Sequence, residues 1–139
     1  MRYLLDTNVC IEILRGRDAL LKARLATQSL QKLVLCSVVW AELHFGARLA
    51  NNSAQEFARL RHAFGHWSRL PFDDAAAEAY GDIRAHLQRT GRMIGANDLL
   101  IAAIAQSREF TLVTHNTSEF SRVPDLSIED WQVDSQNAR

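Results

Sequence analysis

The chain has 139 residues, 47% of them hydrophobic and 23% charged, which fits one globular domain long enough to bury a sizeable core. Sixteen acids balance sixteen bases, so net charge does not announce a nucleic-acid partner, although the stretch after Arg122 runs acidic with Asp125, Glu129, Asp130 and Asp134. No apolar run reaches the roughly 18–20 residues that span a bilayer and no leader-like segment is visible; Cys10 and Cys36 lack metal-ligand spacing, so a cytoplasmic protein with buried, reduced thiols and no membrane contact is expected.

Arg2 to Leu5 is a short apolar run that ends in Asp6-Thr7-Asn8, followed by apolar residues at helical spacing and a stop at Gly16. That pattern predicts a buried strand, a turn and a helix, with Asp6 at the carboxyl end of the strand. Asp18 caps a second helix to about Thr27. Leu33-Val34-Leu35-Cys36 predicts a strand covered on both faces, with Ser37 as the cap of a helix over Val38–Ala47 that carries Glu42. The apolar neighbours Val39, Trp40, Leu43 and Phe45 imply that this helix is largely buried. Asn51-Asn52 breaks it, and Ser53-Ala54-Gln55-Glu56 reads as a capping box opening a helix to about Trp67.

Leu70-Pro71-Phe72 is a brief extended piece. Asp73 or Asp74 caps a long helix from Ala75 to Thr90, closed by Gly91. Arg92 to Ala96 is a loop, after which Asn97-Asp98 opens a helix apolar on nearly every side. Phe110–Thr114 is a strand leading into the polar turn His115–Glu119, and Leu126–Trp131 alternates weakly as a last edge strand. Residues 1–132 are expected to form a single domain and residues 133–139 a frayed tail. Strands alternating with helices predict an α/β fold with a central, mostly parallel sheet.

In such a sheet ligands bind at the carboxyl ends of the strands. Asp6, Glu42, Asp98 and the pair Asn116 and Glu119 all follow strands or open helices. Carboxylates crowded there repel one another unless a cation or a proton intervenes. Oxygen ligands without histidine or thiolate favour Mg²⁺, or Mn²⁺ in its place, over zinc. Such an ion suits phosphodiester hydrolysis. Each acid also has a plainer use: Asp6 as a helix cap, Asp98 as a charge at a helix start, Asn116 as a turn residue. Only their common position raises the functional reading above the plain one.

These segments resemble a known family. Leu4–Asn8, Ala41-Glu42-Leu43, Asn97–Ala103 and Leu112–Phe120 look like the successive motifs of a PIN domain, more narrowly of the VapC ribonuclease toxins of bacterial toxin–antitoxin pairs, and Val123–Leu126 with Glu129-Asp130-Trp131 adds to the likeness. The resemblance implies a three-layer α/β/α PIN-like fold and a Mg²⁺-dependent endoribonuclease with Asp6, Glu42 and Asp98 as its acidic core. It further implies a homodimer, a VapB-type antitoxin partner, and structured RNA such as tRNA as substrate. The chain departs from the pattern where many members have a fourth aspartate: here Asn116 stands, with Glu119 three residues on. On this reading Asp6 and Asp98 hold the metal, Glu42 binds it through water or acts as general base on the attacking water, Glu119 is the fourth acid, and Asn116, Thr7 and Thr114 support the shell. A non-catalytic PIN-like module that binds RNA or protein is the competing class.

Fourteen of the sixteen bases are arginine, and those between Ala47 and Leu70 and between Ile83 and Arg108 could grip phosphate or simply be solvated faces. His62 and His66 are spaced for one side of a zinc site but lack an evident third ligand. Trp40 is a candidate contact with a partner chain. A Gly-rich phosphate loop is absent.

Overall fold

The computed structural model describes residues 1–134; the expected tail beyond them lies outside the described residues. A five-stranded sheet, all parallel, runs in the order β3-β2-β1-β4-β5. The strands are β1 (Tyr3–Leu5), β2 (Leu33–Cys36), β3 (Ser68–Leu70), β4 (Thr111–Val113) and β5 (Ile128–Glu129). Among the described residues, seven α-helices flank it as the outer layers of the α/β/α sandwich: α1 (Thr7–Arg15), α2 (Ala19–Ala26), α3 (Ser37–Leu49), α4 (Ser53–Phe64), α5 (Asp74–Thr90), α6 (Ala96–Ser107) and α7 (Thr117–Phe120).

The three inner strands carry no exposed residue, as continuous apolar runs covered on both faces require. Leu4 pairs with Val34 on one side and Leu112 on the other, so β1 lies at the centre of the core. Along α6, Ile101 to Ala105 are fully buried; the alanines let this helix lie close against α5. Because every strand points the same way, the residues after β1, β2 and β4 emerge at one edge.

Local chemistry differs from expectation at three helix starts and ends. The strand β2 turns directly into α3, so Cys36 takes the cap position in extended geometry and Ser37 is already helical. The α4 cap is Asn52, whose side chain accepts the Gln55 N–H, rather than a Ser53–Glu56 box. Glu56 instead pairs with Arg59 at 3.0 Å, and the Ser53 hydroxyl is buried without a partner among the described residues. α4 also stops at Phe64, and the Arg69 guanidinium reaches the carbonyls of Phe64, Gly65 and Trp67 there. His66 is therefore off the helix, and the zinc-like spacing with His62 dissolves.

α3 is less buried than its composition implied. Val39, Leu43 and Ala47 form one inward stripe at intervals of four, whereas Phe45 is 65% and Leu49 68% exposed. Trp40 is not a free contact: Arg69 lies 4.5 Å above its ring and His44 packs edge-on.

Candidate active site

Asp6 is the most enclosed acid, only 4% exposed. It caps α1, its Oδ1 accepting the Val9 N–H at 2.9 Å, and the Thr114 hydroxyl donates to the same carboxylate. That hydroxyl in turn accepts the Asn116 N–H at 3.0 Å. Two strand ends are thus joined through one fully buried threonine. Burial pushes the Asp6 pKa up, and the Glu42 carboxylate adds to the rise; the Thr114 and Val9 donors offset part of it.

Glu42, in the second turn of α3, is half-buried and accepts a 2.6 Å hydrogen bond from the Thr7 hydroxyl at the start of α1. Across the edge, Glu119 on the single turn of α7 is clamped by two donors. The Gly95 N–H meets Oε1 at 2.6 Å and the Asn116 side-chain amide meets Oε2 at 2.6 Å. The Gly95 donor is the main reason the Glu119 pKa lies below its ordinary value, with Asn116, Asp98 and Arg122 helping. Asp98, in the first turn of α6, lies beside Glu119 at Gly95, and its pKa is raised to about 6. Burial is the leading cause; the charges of Glu119, Asp6 and Glu42 follow in that order.

One carboxyl group therefore senses all three of the others, which places the four acids at one strand edge and within electrostatic reach. They stand as two tied groups, Asp6 with Thr114 and Glu42 with Thr7 on one side, Asp98 with Glu119 on the other. Among the described residues no three histidine, cysteine, aspartate or glutamate side chains close tightly enough to ligate a single ion. That geometry still fits Mg²⁺ by donor chemistry, because Mg²⁺ keeps several waters and takes only one or two carboxylates directly. A cleft of about 740 Å³ opens alongside, lined by Thr7, Asn8, Glu42, Phe45, Asn97 and Leu100.

Two participants carried no readable signal in the sequence: Gly95 contributes through a loop conformation, and Arg122 reaches back 29 residues to the Met93 carbonyl at 3.1 Å. His115, adjacent to the site by sequence, is bound through Nδ1 to Asp130 at 2.9 Å. The arginine-biased faces are largely committed within the fold. Arg48 covers Phe57, Arg59 reaches Glu56 and the Leu14 carbonyl, Arg84 bonds Tyr80 and Arg108 pairs with Asp73. Arg61, Arg89 and Arg92 are exposed. The two thiols are buried, and burial drives Cys36 up to about 11 and Cys10 well above its usual range, which makes both inert.

A wholly parallel α/β sheet with carboxylates meeting beyond its central strands defines a class of acid-centred α/β domains. The profile of the PIN domain matches residues 3–126. A tRNA(fMet)-specific endonuclease VapC of Shigella flexneri is 37% identical over 131 residues, covering 94% of this chain and 98% of that one. Among solved structures, DNA-bound VapBC from Salmonella typhimurium superposes with a TM-score of 0.88 at 32% identity, covering 94% of this chain and 98% of that chain. VapBC2 from Rickettsia felis, bound to a promoter DNA fragment, gives 0.87 at 33%, covering 94% and 99%. The chain belongs to the PIN domain family, on its VapC ribonuclease branch.

Proposed function

We propose that this chain is a Mg²⁺-dependent endoribonuclease, the toxin of a type II toxin–antitoxin pair, and that it hydrolyses phosphodiester bonds in structured RNA, with tRNA the leading candidate. The observation that carries the reading is the convergence on Asp98, a half-buried acid whose pKa is raised by burial first and then by the charges of Glu119, Asp6 and Glu42 from three separate segments. Acids so placed are costly to the apo-fold unless a cation is bound. The named activity of the Shigella flexneri relative and the toxin–antitoxin content of the neighbouring structures support the substrate and partner classes.

In this mechanism Asp6 and Asp98 would hold the ion, and Mn²⁺ could replace Mg²⁺. When bound, the ion supplies positive charge against the phosphorane-like transition state and makes its water more acidic. Glu42, oriented by Thr7, takes a proton from the attacking water. Glu119, fixed by Gly95 and Asn116, completes the negative pocket and orients the water shell. Thr114 holds Asp6 in the rotamer that faces the pocket. Arg61, Arg89 and Arg92 are the exposed cations offered to RNA phosphates, contacts that position the strand without reading sequence. The exposed pair Phe45 and Leu49 on α3 offers apolar surface to a second copy or to a VapB-type antitoxin.

The test is cleavage of a labelled tRNA with and without Mg²⁺. Expected is shortening that needs the ion, stops with chelator and is lost in Asp98→Asn. RNA that shifts in a gel without being shortened would instead establish the non-catalytic module. Inducing the chain in cells should arrest growth, and the Asp6→Asn version should not.

A further inference from the structure

We propose that Arg122 is a positioning residue: by tying the loop before α6 to α7, it sets the separation of Asp98 and Glu119 and so the metal affinity of the pocket. This rests on the reading above, in which Glu119 belongs to the ion site.

Arg122 lies two residues beyond α7. Its backbone N–H bonds the Glu119 carbonyl at 3.1 Å, and its guanidinium Nη1 donates to the Met93 carbonyl at 3.1 Å. Met93 is two residues before Gly95, whose N–H is the main donor to Glu119 and whose carbonyl accepts the Leu99 N–H at 2.9 Å as α6 begins. The same short loop therefore holds the Glu119 carboxylate and starts the turn that bears Asp98. A Cβ placed on Gly95 would lie 3.5 Å from both Asp98 Oδ2 and Glu119 Oε1, which shows how closely the two acids flank this point. α7 itself has only four residues and no side-chain cap, too little to fix Glu119 alone. Arg122 is the cross-link that completes the frame. Its Nε is buried without a partner among the described residues, an unfavourable state for a cationic donor. A side chain needed only for packing has no reason to keep such a donor there.

A nearby positive charge and a positioning clamp predict opposite signs. If Arg122 were merely a cation beside the acids, removing it would tighten binding of a divalent ion. If it positions the pair, removing it loosens binding. The experiment is Mn²⁺ titration by calorimetry on the full chain, for wild type, Arg122→Ala, Arg122→Lys, Glu119→Gln and the Arg122→Ala/Glu119→Gln double variant, with thermal unfolding of each. Expected is about a tenfold loss of affinity in Arg122→Ala, equivalent to about 1.4 kcal/mol, with partial recovery in Arg122→Lys. The loss should vanish in the Glu119→Gln background, because both changes then remove one coupled element. Cleavage at low Mg²⁺ should fall in kcat more than in KM and recover as Mg²⁺ is raised. Unchanged or tighter Mn²⁺ binding in a folded Arg122→Ala overturns the proposal; where that variant does not fold, binding tighter than wild type in Arg122→Lys does so. If Glu119→Gln leaves affinity unchanged while Asp6→Asn removes it, the fourth-acid reading has failed and takes the proposal with it. A loss with Glu119→Gln but none with either Arg122 variant sinks the proposal alone.

Discussion

The two halves of the pocket are built from different material. The Asp6 half is an extension of the core: β1 and β4 are paired, Asp6 and Thr114 are buried, and they are bonded by the Val9 N–H of α1 and the Asn116 N–H ahead of α7. The Glu119 half is made from a loop, a four-residue helix and the first turn of α6, held by side chains bridging 24 residues to Gly95 and 29 to Met93. The first cannot move without disturbing the sheet. The second can shift while the sheet stays intact, because local opening in proteins follows low contact density and exposed backbone. Stability should therefore be written mainly in one half, and tuning of the ion mainly in the other.

The largest effect expected is at Asp6. Asp6→Asn should lower cleavage by about a thousandfold or more, roughly 4 kcal/mol of transition-state stabilisation. Its unfolding temperature should match or exceed wild type, since asparagine caps helices as well as aspartate and a buried charge is removed. Thr114→Val tests the same half from the other side. Losing the hydroxyl leaves Asp6 and the Asn116 N–H each short of a buried partner, for a loss of about 1–3 kcal/mol of stability by denaturant unfolding. In the outer half, Glu119→Gln should lower cleavage about 10- to 100-fold while stability changes by about 1 kcal/mol or less, because the half-buried side chain loses charge on its two hydrogen bonds but also its repulsion of Asp98. A Glu119 variant that unfolds readily, or a Thr114 variant that does not, would erase the contrast.

Acidity sharpens it further. Asp98 has a folded pKa of about 6 against an ordinary 3.8, so the folded state holds that proton more tightly than the unfolded chain does. Its stabilising contribution is complete below the unfolded value and is lost as pH rises through the folded one. In chelator, the unfolding temperature should fall across this window, by the equivalent of about 1 kcal/mol once the partial exposure of Asp98 is allowed for. Asp98→Asn should flatten that slope, and Mg²⁺ should raise stability most above it. A flat profile for wild type in chelator would mean that the acids do not repel as the geometry requires.

Much of this was legible from residues alone, for reasons that can be named. β2 was read to the residue because a strand covered on both faces must be apolar throughout. The stops at Gly16 and Gly91 were legible because each takes φ of +67°, where a side chain is strained. The acidic positions were marked by falling after strands. What could not be read depends on three-dimensional competition. Ser53 lost its capping role to Asn52, one residue earlier, whose side chain reaches the Gln55 N–H. Phe45 looked interior beside Leu43 because composition does not reveal which stripe of a helix faces inward. Glu119 was found by its spacing from Asn116, yet its clamp was not, since a backbone N–H exists at every position and only the loop decides which one points at a carboxylate.

The smallest effect expected, and the finest probe of the outer half, is Asn116→Asp, which places an aspartate beside Glu119. The Asn116 side-chain amide now donates to Glu119 Oε2 at 2.6 Å. A carboxylate there cannot donate, and it puts a like charge where a hydrogen bond stood. Without divalent ion at neutral pH, this should lower stability by about 1 kcal/mol or less, the range of exposed charge contacts. The deficit should shrink as pH falls, because protonating one of the crowded acids removes the repulsion. Saturating Mg²⁺ should reverse it, since an added oxygen ligand favours the bound state and binding to the folded protein stabilises by mass action. Denaturant unfolding in chelator and in Mg²⁺, compared between wild type and variant, measures that reversal. Equal deficits in both media would mean that residue 116 faces Glu119 alone and has no share in the ion site, leaving the fourth position to the glutamate.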